Sequence, residues 1–289
     1  MDIPSGGFVA QRKKILQSIL LLAALFFLLP SRLYAGCSPS SLLPSLAGVS
    51  QITYVIQKRL PHDAEAFTQG LLFANGLLYE STGRYGASSL RAIDPRTGAI
   101  IKKRPLSPSV FGEGLAVADR KLIQLTWKKR TAYVYRATDF TRLHFFRYDG
   151  EGWGLTADSH AFFMSDGSPV ITIRSLADFT VKGRLEVHAG DHPFPMINEL
   201  ELARNDLYAN IWQQDVILRI DLTNGAVTGY DDISALSWPS RPCGTGEKVA
   251  NGIAYDPDDD TFFLTGKNWP YIFIVRLSDQ PAASSLDTR

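Results

Sequence analysis

Phe67-Thr68-Gln69-Gly70-Leu71 is the first of five similar openings along the chain, and their repetition predicts the fold. The other four are Phe111-Gly112-Glu113-Gly114-Leu115, Glu151-Gly152-Trp153-Gly154-Leu155, Asn198-Glu199-Leu200-Glu201-Leu202 and Val249-Ala250-Asn251-Gly252-Ile253. Their last residues are separated by 44, 40, 47 and 51 positions. A period of this length indicates one structural unit that is repeated along the chain.

Each opening is followed by two more short apolar runs, which we interpret as further strands of the same unit. The second runs are 77–80, 122–125, 161–164, 206–209 and 261–264, and the third runs are 88–93, 132–136, 170–174, 216–220 and 271–275. Asn75-Gly76 predicts a tight hairpin, because both residues tolerate the positive φ angles of such turns. The stretches Asp94–Gly98 and Asp221–Gly225 predict turns that lead to a fourth strand.

The repeats predict an all-β fold. No stretch after residue 50 has a long apolar stripe with the 3.6-residue period of a helix. Repeats of about 40–50 residues with four strands each are typical of β-propellers, so five repeats predict a five-bladed β-propeller. Little chain follows Val275, and we expect Ile52–Gln57 to supply the outer strand of the last blade. The alternative is a β-sandwich with fortuitously similar strands.

Composition and charge exclude several classes of protein. The chain has 289 residues, of which 45% are hydrophobic and 20% charged, and its formal net charge is +1. Disordered, collagen-like, coiled-coil and disulfide-stapled chains have compositions far from this one. Because there is no strong positive charge and no long block of like charges, we expect no nucleic-acid partner.

The N-terminal segment predicts export. Residues 1–35 read as a signal peptide, in which Arg12–Lys14 precede an apolar run from Ile15 to Leu29 and small residues follow. The run is short for a bilayer span, although an uncleaved anchor is the alternative. Cys37 follows a stretch that resembles a lipoprotein cleavage box. We therefore expect a periplasmic or secreted protein, with no membrane association unless Cys37 is lipidated.

The remaining boundaries follow from composition. Residues 36–50 are rich in Ser, Pro and Leu and predict a linker, residues 51–280 form the predicted propeller, and 281–289 are expected to be a disordered tail. The two cysteines, Cys37 and Cys243, allow only a long disulfide of no recognisable pattern, whose redox state stays open.

Functional side chains are expected at the openings, because the first strand of each propeller blade lines the central channel. The openings place Gln69, Glu113, Trp153, Leu200 and Asn251 at equivalent positions. The aromatic residues expected to form the pocket walls are Phe67, Phe111, Trp127, Trp153 and Trp212. The alternative for each aromatic side chain is ordinary core packing.

Nine motifs in order resemble the plant and bacterial glutaminyl-peptide cyclotransferases, also called glutaminyl cyclases. They are Phe67–Gly70, Glu80–Gly83, Phe111–Gly114, Gln124–Trp127, Glu151–Gly154, Asn198–Glu201, Tyr208–Trp212, Asn251–Asp256 and Leu264–Lys267. The resemblance runs from about Tyr54 to Val275. It implies a five-bladed propeller whose catalysis does not depend on zinc, so residues 51–280 would be a catalytic domain without a cofactor. A structural calcium ion in the channel stays open.

By this resemblance, the reaction is cyclisation of an N-terminal glutaminyl residue to 5-oxoproline with release of ammonia. The expected substrates are peptides or proteins with N-terminal Gln, and the enzyme is expected to be a monomer. Glu113 is the candidate that moves the proton from the attacking amine to the leaving nitrogen. Lys267 and Asn198 match positions for charge stabilisation and substrate binding, and Gln69 matches an active-site position. The alternative for Lys267 is a solvated loop lysine.

Two other functions remain open on the sequence alone. The five His residues show no metal-binding spacing, and we expect no metal site from them. Oxygen atoms of Glu113, Asn198 and Asn251 could nevertheless hold calcium in a propeller lactonase or esterase. The third possibility is a non-catalytic exported propeller that binds peptides.

Overall fold

The structure is a computed structural model that describes residues 46–237 and 248–279. These residues form 22 strands and one helical turn, Ser234–Ser237, which confirms the predicted all-β class. The predicted signal peptide, both cysteines and the tail 281–289 lie outside the described residues. Within the described ranges, no helix is long and apolar enough to cross a bilayer.

Three of the sheets are four-stranded antiparallel meanders, in which each strand pairs with the next along the chain. The first contains β2 (Thr68–Ala74), β3 (Leu77–Thr82), β4 (Ser89–Ile93) and β5 (Ile100–Pro105). The second contains β6 (Gly112–Ala118), β7 (Lys121–Thr126), β8 (Thr131–Arg136) and β9 (Arg142–Arg147). The third contains β10 (Leu155–Ala157), β11 (Ala161–Met164), β12 (Val170–Ser175) and β13 (Val181–Glu186).

An eight-stranded sheet holds two further groups of four strands. The fourth group contains β16 (Ile197–Ala203), β17 (Asp206–Ile211), β18 (Val216–Asp221) and β19 (Val227–Asp232). The last group contains β20 (Ala250–Asp256), β21 (Thr261–Gly266), β22 (Tyr271–Asp279) and β1 (Ser50–Pro61). A two-stranded sheet of β14 (His188–Ala189) and β15 (His192–Pro193) precedes the fourth group.

Strand β1 joins the two ends of the described chain. It pairs antiparallel with β22, from Ile52 opposite Asp279 to Pro61 opposite Tyr271, which confirms the predicted pairing of Ile52–Gln57 with the last strand. It also pairs in parallel with β19 at Ser50 and Gln51, a contact that the sequence did not predict. Leu46 is 2% exposed and packs in the core, so the folded body begins within the segment predicted as a linker.

Local turn chemistry agrees with the predicted hairpins. Asn75 and Gly76 have φ angles of 51° and 73°, as a tight turn between β2 and β3 requires. Gly98 and Gly225 also have positive φ, and each donates its N–H to the carbonyl of the Asp four residues earlier at 2.8 Å. These turns set the lengths of the hairpins and thereby the strand register.

The apolar core is divided into clusters between neighbouring groups of strands. One cluster joins the first group to the last, since Leu71 and Leu78 pack with Ala254, Phe263 and Ile272. The first strands contact each other in a closed circuit, β2 with β6, β6 with β10, β10 with β16, β16 with β20, and β20 with β2. The first strands therefore surround a common axis.

Glycine permits these first strands to approach one another at the axis. A Cβ atom on Gly70 would lie 2.7 Å from the backbone nitrogen of Leu115, and one on Gly154 would lie 2.1 Å from the carbonyl oxygen of Asn198. In the fourth group this position is Glu199, which is fully buried. Its carboxylate accepts the backbone N–H groups of Leu71 at 3.2 Å and Ile253 at 2.9 Å, so it crosses the axis to two other groups.

We expect Gly154→Ala to lower the free energy of unfolding by about 1–3 kcal/mol or more, because the new methyl group would overlap a backbone carbonyl. Gly183→Ala is the matched control, since its Cβ would find its nearest neighbour, Ile173 Cδ1, at 3.7 Å. Urea unfolding followed by tryptophan fluorescence measures both variants. Equal stabilities would contradict this account of the axis.

Candidate active site

A bulge at the start of four first strands positions the candidate polar side chains. The register shifts between Thr68 and Gly70, Gly112 and Leu115, Ile197 and Leu200, and Ala250 and Ile253. Gln69, Glu113, Asn198 and Asn251 lie in these bulges, and none is more than 5% exposed. Because a bulge changes the direction of a side chain relative to the regular ladder, it can bring polar groups into a buried site.

The register corrects the alignment of the fourth opening. Leu200 pairs with Ala209 as Leu71 pairs with Glu80, so Asn198 rather than Leu200 is the equivalent of Gln69. The prediction for Leu200 was therefore wrong by two residues. A shift of two residues preserves the alternation of a strand, so periodicity alone could not detect it.

A second set of equivalent positions follows the second strands. The backbone N–H of Trp127 donates to Phe111, that of Trp212 to Met196, and that of Lys267 to Val249, at 2.8–3.0 Å. The corresponding residue in the first group is Gly83, which donates to Phe67. A Cβ on Gly83 would lie 2.3 Å from the Phe111 ring, so glycine leaves room for that ring. These positions bring Trp127, Trp212 and Lys267 to the same end of the axis as the bulges.

Glu113 lies at the end of a chain of hydrogen bonds that two side-chain amides donate. Gln69 Nε2 donates to Glu113 Oε2 at 2.6 Å, and Asn251 Nδ2 donates to Gln69 Oε1 at 3.0 Å. Burial raises the pKa of Glu113 well above its ordinary value; the charge of Lys267 and the Gln69 hydrogen bond oppose the rise, and the charge of Glu151 adds to it. A carboxyl group with a raised pKa is suited to accept and return a proton near neutral pH.

Lys267 is a buried cation. Its residue is 4% exposed, and its Nζ lies 4.9 Å from the centroid of the Phe67 ring. The alternative of a solvated loop lysine is therefore wrong. Its charge acts on Glu113, which means that one site holds a buried acid and a buried cation.

The predicted aromatic residues form two segments of a wall. Phe67 contacts Phe111 edge to face at 6.1 Å between centroids, and Phe111 contacts Trp127 at 5.5 Å. Trp153 contacts Trp212 at 6.0 Å, and Trp212 is 38% exposed. The wall thus runs from the buried Phe67 to the exposed edge at Trp212.

Glu151 connects the two segments of this wall. Its Oε2 accepts the indole N–H of Trp127 at 2.5 Å and that of Trp153 at 3.1 Å. Glu151 occupies the place that Phe67 and Phe111 hold in their own openings. The sequence identified that position but did not predict the double hydrogen bond.

A buried ion pair, which the sequence did not predict, supports the site from behind. Glu80 Oε1 accepts from His62 Nε2 at 2.9 Å and from Thr68 Oγ1 at 2.7 Å. His62 Nδ1 lies 2.8 Å from the carbonyl oxygen of Trp269. Both ring nitrogens face acceptors, so the imidazole is a cation. Thr68 adjoins Gln69 and Trp269 follows Lys267 by two residues, so the pair links the segments that carry both site residues.

The pKa shifts of this pair define a pH window. Burial lowers the pKa of His62, but the charge and hydrogen bond of Glu80 outweigh burial and raise it above 6.5. Burial raises the pKa of Glu80, but His62 and Arg91 outweigh burial and lower it below 4.5. The stabilisation from Glu80 is present above pH 4.5 and falls away as the pH drops through its lowered pKa. The stabilisation from His62 is present below pH 6.5 and is lost as the pH rises through its raised pKa.

We expect Glu80→Gln to cost about 3–5 kcal/mol of unfolding free energy, because it leaves buried charges without their partner. The difference from the parent should be largest between pH 4.5 and 6.5 and smaller on either side. Urea unfolding across this pH range measures it. A difference that does not change with pH would contradict the ion pair.

A separate cavity of about 600 Å³ lies at the opposite ends of the first strands, where Leu72, Val117, Thr156, Glu201 and Tyr255 are among its lining residues. It contains none of the predicted site residues. Across the described part of the chain, no group of three or more His, Cys, Asp or Glu residues is arranged to hold a metal ion.

The fold and the site define an all-β protein with a buried carboxyl group of raised pKa, a buried lysine and an aromatic wall. The chain belongs to the glutamine cyclotransferase family, which it matches over residues 29–277. A glutaminyl-peptide cyclotransferase from Arabidopsis thaliana is 36% identical over 265 residues, which are 91% of this chain and 82% of the plant protein. The solved structure of Myxococcus xanthus glutaminyl cyclase is 35% identical with a TM-score of 0.75, covering 81% of this chain and 100% of that one. The resemblance predicted from the motifs is confirmed.

Proposed function

We propose that this protein is a five-bladed β-propeller enzyme that cyclises the N-terminal glutaminyl residue of peptides and proteins to 5-oxoproline and releases ammonia. Membership of the family and the likeness to a plant glutaminyl-peptide cyclotransferase support the reaction. Four-stranded groups and a closed circuit of first strands support the five blades. The observation that carries the proposal is the buried Glu113, hydrogen-bonded by Gln69 and under the charge of Lys267.

Glu113 moves one proton through the reaction. The substrate's α-nitrogen attacks its own γ-carbonyl carbon, and the carboxylate takes the proton that the nitrogen releases. The protonated Glu113 then gives this proton to the side-chain nitrogen as the carbon–nitrogen bond breaks and ammonia leaves. An α-amino group has an ordinary pKa of about 7.7–8.0, and the raised pKa of Glu113 makes its carboxylate a stronger base toward that group than an ordinary carboxylate.

Lys267 and Asn198 stabilise the oxyanion of the tetrahedral intermediate. Both are nearly fully buried, and a charged or dipolar donor acts more strongly where water is excluded. Gln69 fixes the Glu113 carboxylate, because Asn251 occupies its carbonyl oxygen and leaves its NH₂ group to donate to Glu113. The Gln69 amide and the Glu113 carboxylate thus have a defined orientation before the substrate enters.

The aromatic wall holds the substrate in the shape that reacts. A glutaminyl side chain has several rotatable bonds, and cyclisation needs its amide folded back onto the amine. The rings of Phe67, Phe111, Trp127, Trp153 and Trp212 limit this freedom and exclude water. Orientation of this kind accounts for a large part of the rate gain in intramolecular reactions.

We expect Glu113→Gln to lower kcat/KM by about 10²–10⁴-fold with the fold intact, because the amide can neither accept nor return the proton. Glu201→Gln is the matched control, since this buried carboxyl group lines the cavity at the opposite end and should leave the rate unchanged. The assay is ammonia release from a short peptide with N-terminal Gln, together with the loss of one ammonia from the peptide mass. Near-parental turnover by Glu113→Gln would contradict the role of Glu113.

We also expect removal of divalent metal by a chelator to leave ammonia release unchanged, because Glu113 and Lys267 supply the acid, base and charge of the reaction.

The buried Asn251 Oδ1 has no hydrogen-bond partner among the described residues, which favours a calcium-dependent esterase as the second candidate. Ester hydrolysis that a chelator abolishes and calcium restores, in a protein whose far-ultraviolet spectrum is unchanged, would support that candidate. A parent that folds, releases no ammonia and hydrolyses no ester would support a non-catalytic peptide-binding propeller.

A further inference from the structure

Glu151 contacts two rings of the aromatic wall through its carboxylate. The proposed reaction assigns it no step. One of its oxygens, Oε2, accepts two indole N–H groups, while Oε1 has no hydrogen-bond partner among the described residues. The residue is half-buried, so its charge is only partly screened by water. Because both indole N–H groups donate to Oε2, the Oε1 atom of Glu151 can accept a hydrogen bond from a further donor.

The two indoles belong to different groups of strands. Trp127 follows β7 of the second group, whereas Trp153 precedes β10 of the third. Glu151 therefore fixes the spacing between the two segments of the aromatic wall, which come from different groups of strands. Rotation of either indole would break a charge-assisted hydrogen bond, which is stronger than a neutral one.

The charge of the same carboxylate also acts on Glu113. It raises the pKa of Glu113, whereas the charge of Lys267 lowers it. Two further cations lie over rings of the wall: Lys128 Nζ is 4.0 Å from the Trp127 ring centroid, and Arg84 Cζ is 4.5 Å from that of Phe67. Tyr148, which also lies within the field of Glu113, has a strongly raised pKa owing to burial and stays neutral.

We propose that Glu151 is a positioning residue for the cyclisation, which holds the Trp127 and Trp153 indoles in place with a single carboxylate oxygen. This inference rests on the proposed function. It adds a second carboxylate to the site, one that transfers no proton. Substrate enters between walls whose separation Glu151 sets, and it meets a base whose strength Glu151 increases.

Two substitutions separate the geometric contribution from that of the charge. Glu151→Gln keeps an oxygen that can accept the indole N–H groups but removes the charge. Glu151→Ala removes both. Asp149→Asn is the matched control, because it removes an exposed charge from the same loop, two residues away, and leaves both indole hydrogen bonds of Glu151 in place.

The measurement is kcat and KM for ammonia release from a Gln-peptide as a function of pH, with urea unfolding to confirm that each variant folds. Without the negative charge, the pKa of Glu113 falls, so we expect the acid limb of kcat/KM to move to lower pH in both Glu151 variants. KM should stay near the parental value in Glu151→Gln and rise about tenfold in Glu151→Ala, because only the latter loses the two hydrogen bonds. Tryptophan emission should shift in Glu151→Ala alone.

Three results would overturn the inference. The first is a Glu151→Ala variant whose KM and whose acid limb of kcat/KM are those of the parent. The second is an Asp149→Asn variant whose acid limb of kcat/KM shifts as far as that of the Glu151 variants. The third is a loss of unfolding free energy in both Glu151 variants with no change in KM or in the limb, which is what a purely structural role predicts. Failure of the proposed function is distinct, because the parent itself would then release no ammonia, while the emission of Glu151→Ala would still report on the indoles.

Discussion

Close approach of the first strands at the axis is the constraint on which the rest of the structure depends. Glycine permits this approach at Gly70, Gly114 and Gly154, where a Cβ atom would lie 2.7 Å or less from the backbone of a neighbouring strand. The fourth group departs from this pattern with Glu199, whose carboxylate satisfies two backbone N–H groups of other strands. Because the backbones are held this tightly, the bulged side chains beside them meet within hydrogen-bond distance.

The site obtains its chemistry from burial more than from any unusual residue. A carboxyl group, a lysine and two amides are ordinary groups in water, but here they share a small volume from which water is largely excluded. Burial makes the acid weaker and the fields of its neighbours stronger. The opposed charges of Lys267 and Glu151 then adjust the pKa of Glu113 from two sides. The His62–Glu80 pair keeps the segments before Gln69 and after Lys267 at a fixed separation.

Much of this arrangement could be predicted from the sequence, for identifiable reasons. Turn residues such as Asn75-Gly76 have local causes, so the strands and their hairpins were predictable. Glu113 and Gln69 recur at one position of a repeat, and a repeat is visible in sequence, whereas Lys267 was predicted only from the resemblance to the family. The fourth opening was misaligned by two residues because the bulge between Ile197 and Leu200 leaves no mark in the alternation of apolar and polar residues. His62 contacts Glu80, and Glu151 contacts two indoles, through single hydrogen bonds. Such contacts leave no periodic pattern in the sequence from which they could be predicted.

The pairing of β1 with β22 has a consequence for biosynthesis. At about 5–20 residues per second, roughly ten to forty seconds pass between the synthesis of Pro61 and that of Asp279. During that interval the antiparallel partner of β1 is absent, and only Ser50 and Gln51 have a partner strand, β19. Val55 and Ile56 are 58% and 49% exposed even in the folded protein. Charged Lys58 and Arg59, and Pro61 without an N–H donor, discourage pairing of β1 with another nascent chain. Pairing of β1 with β22 of its own chain therefore competes with the exchange of β1 between two molecules.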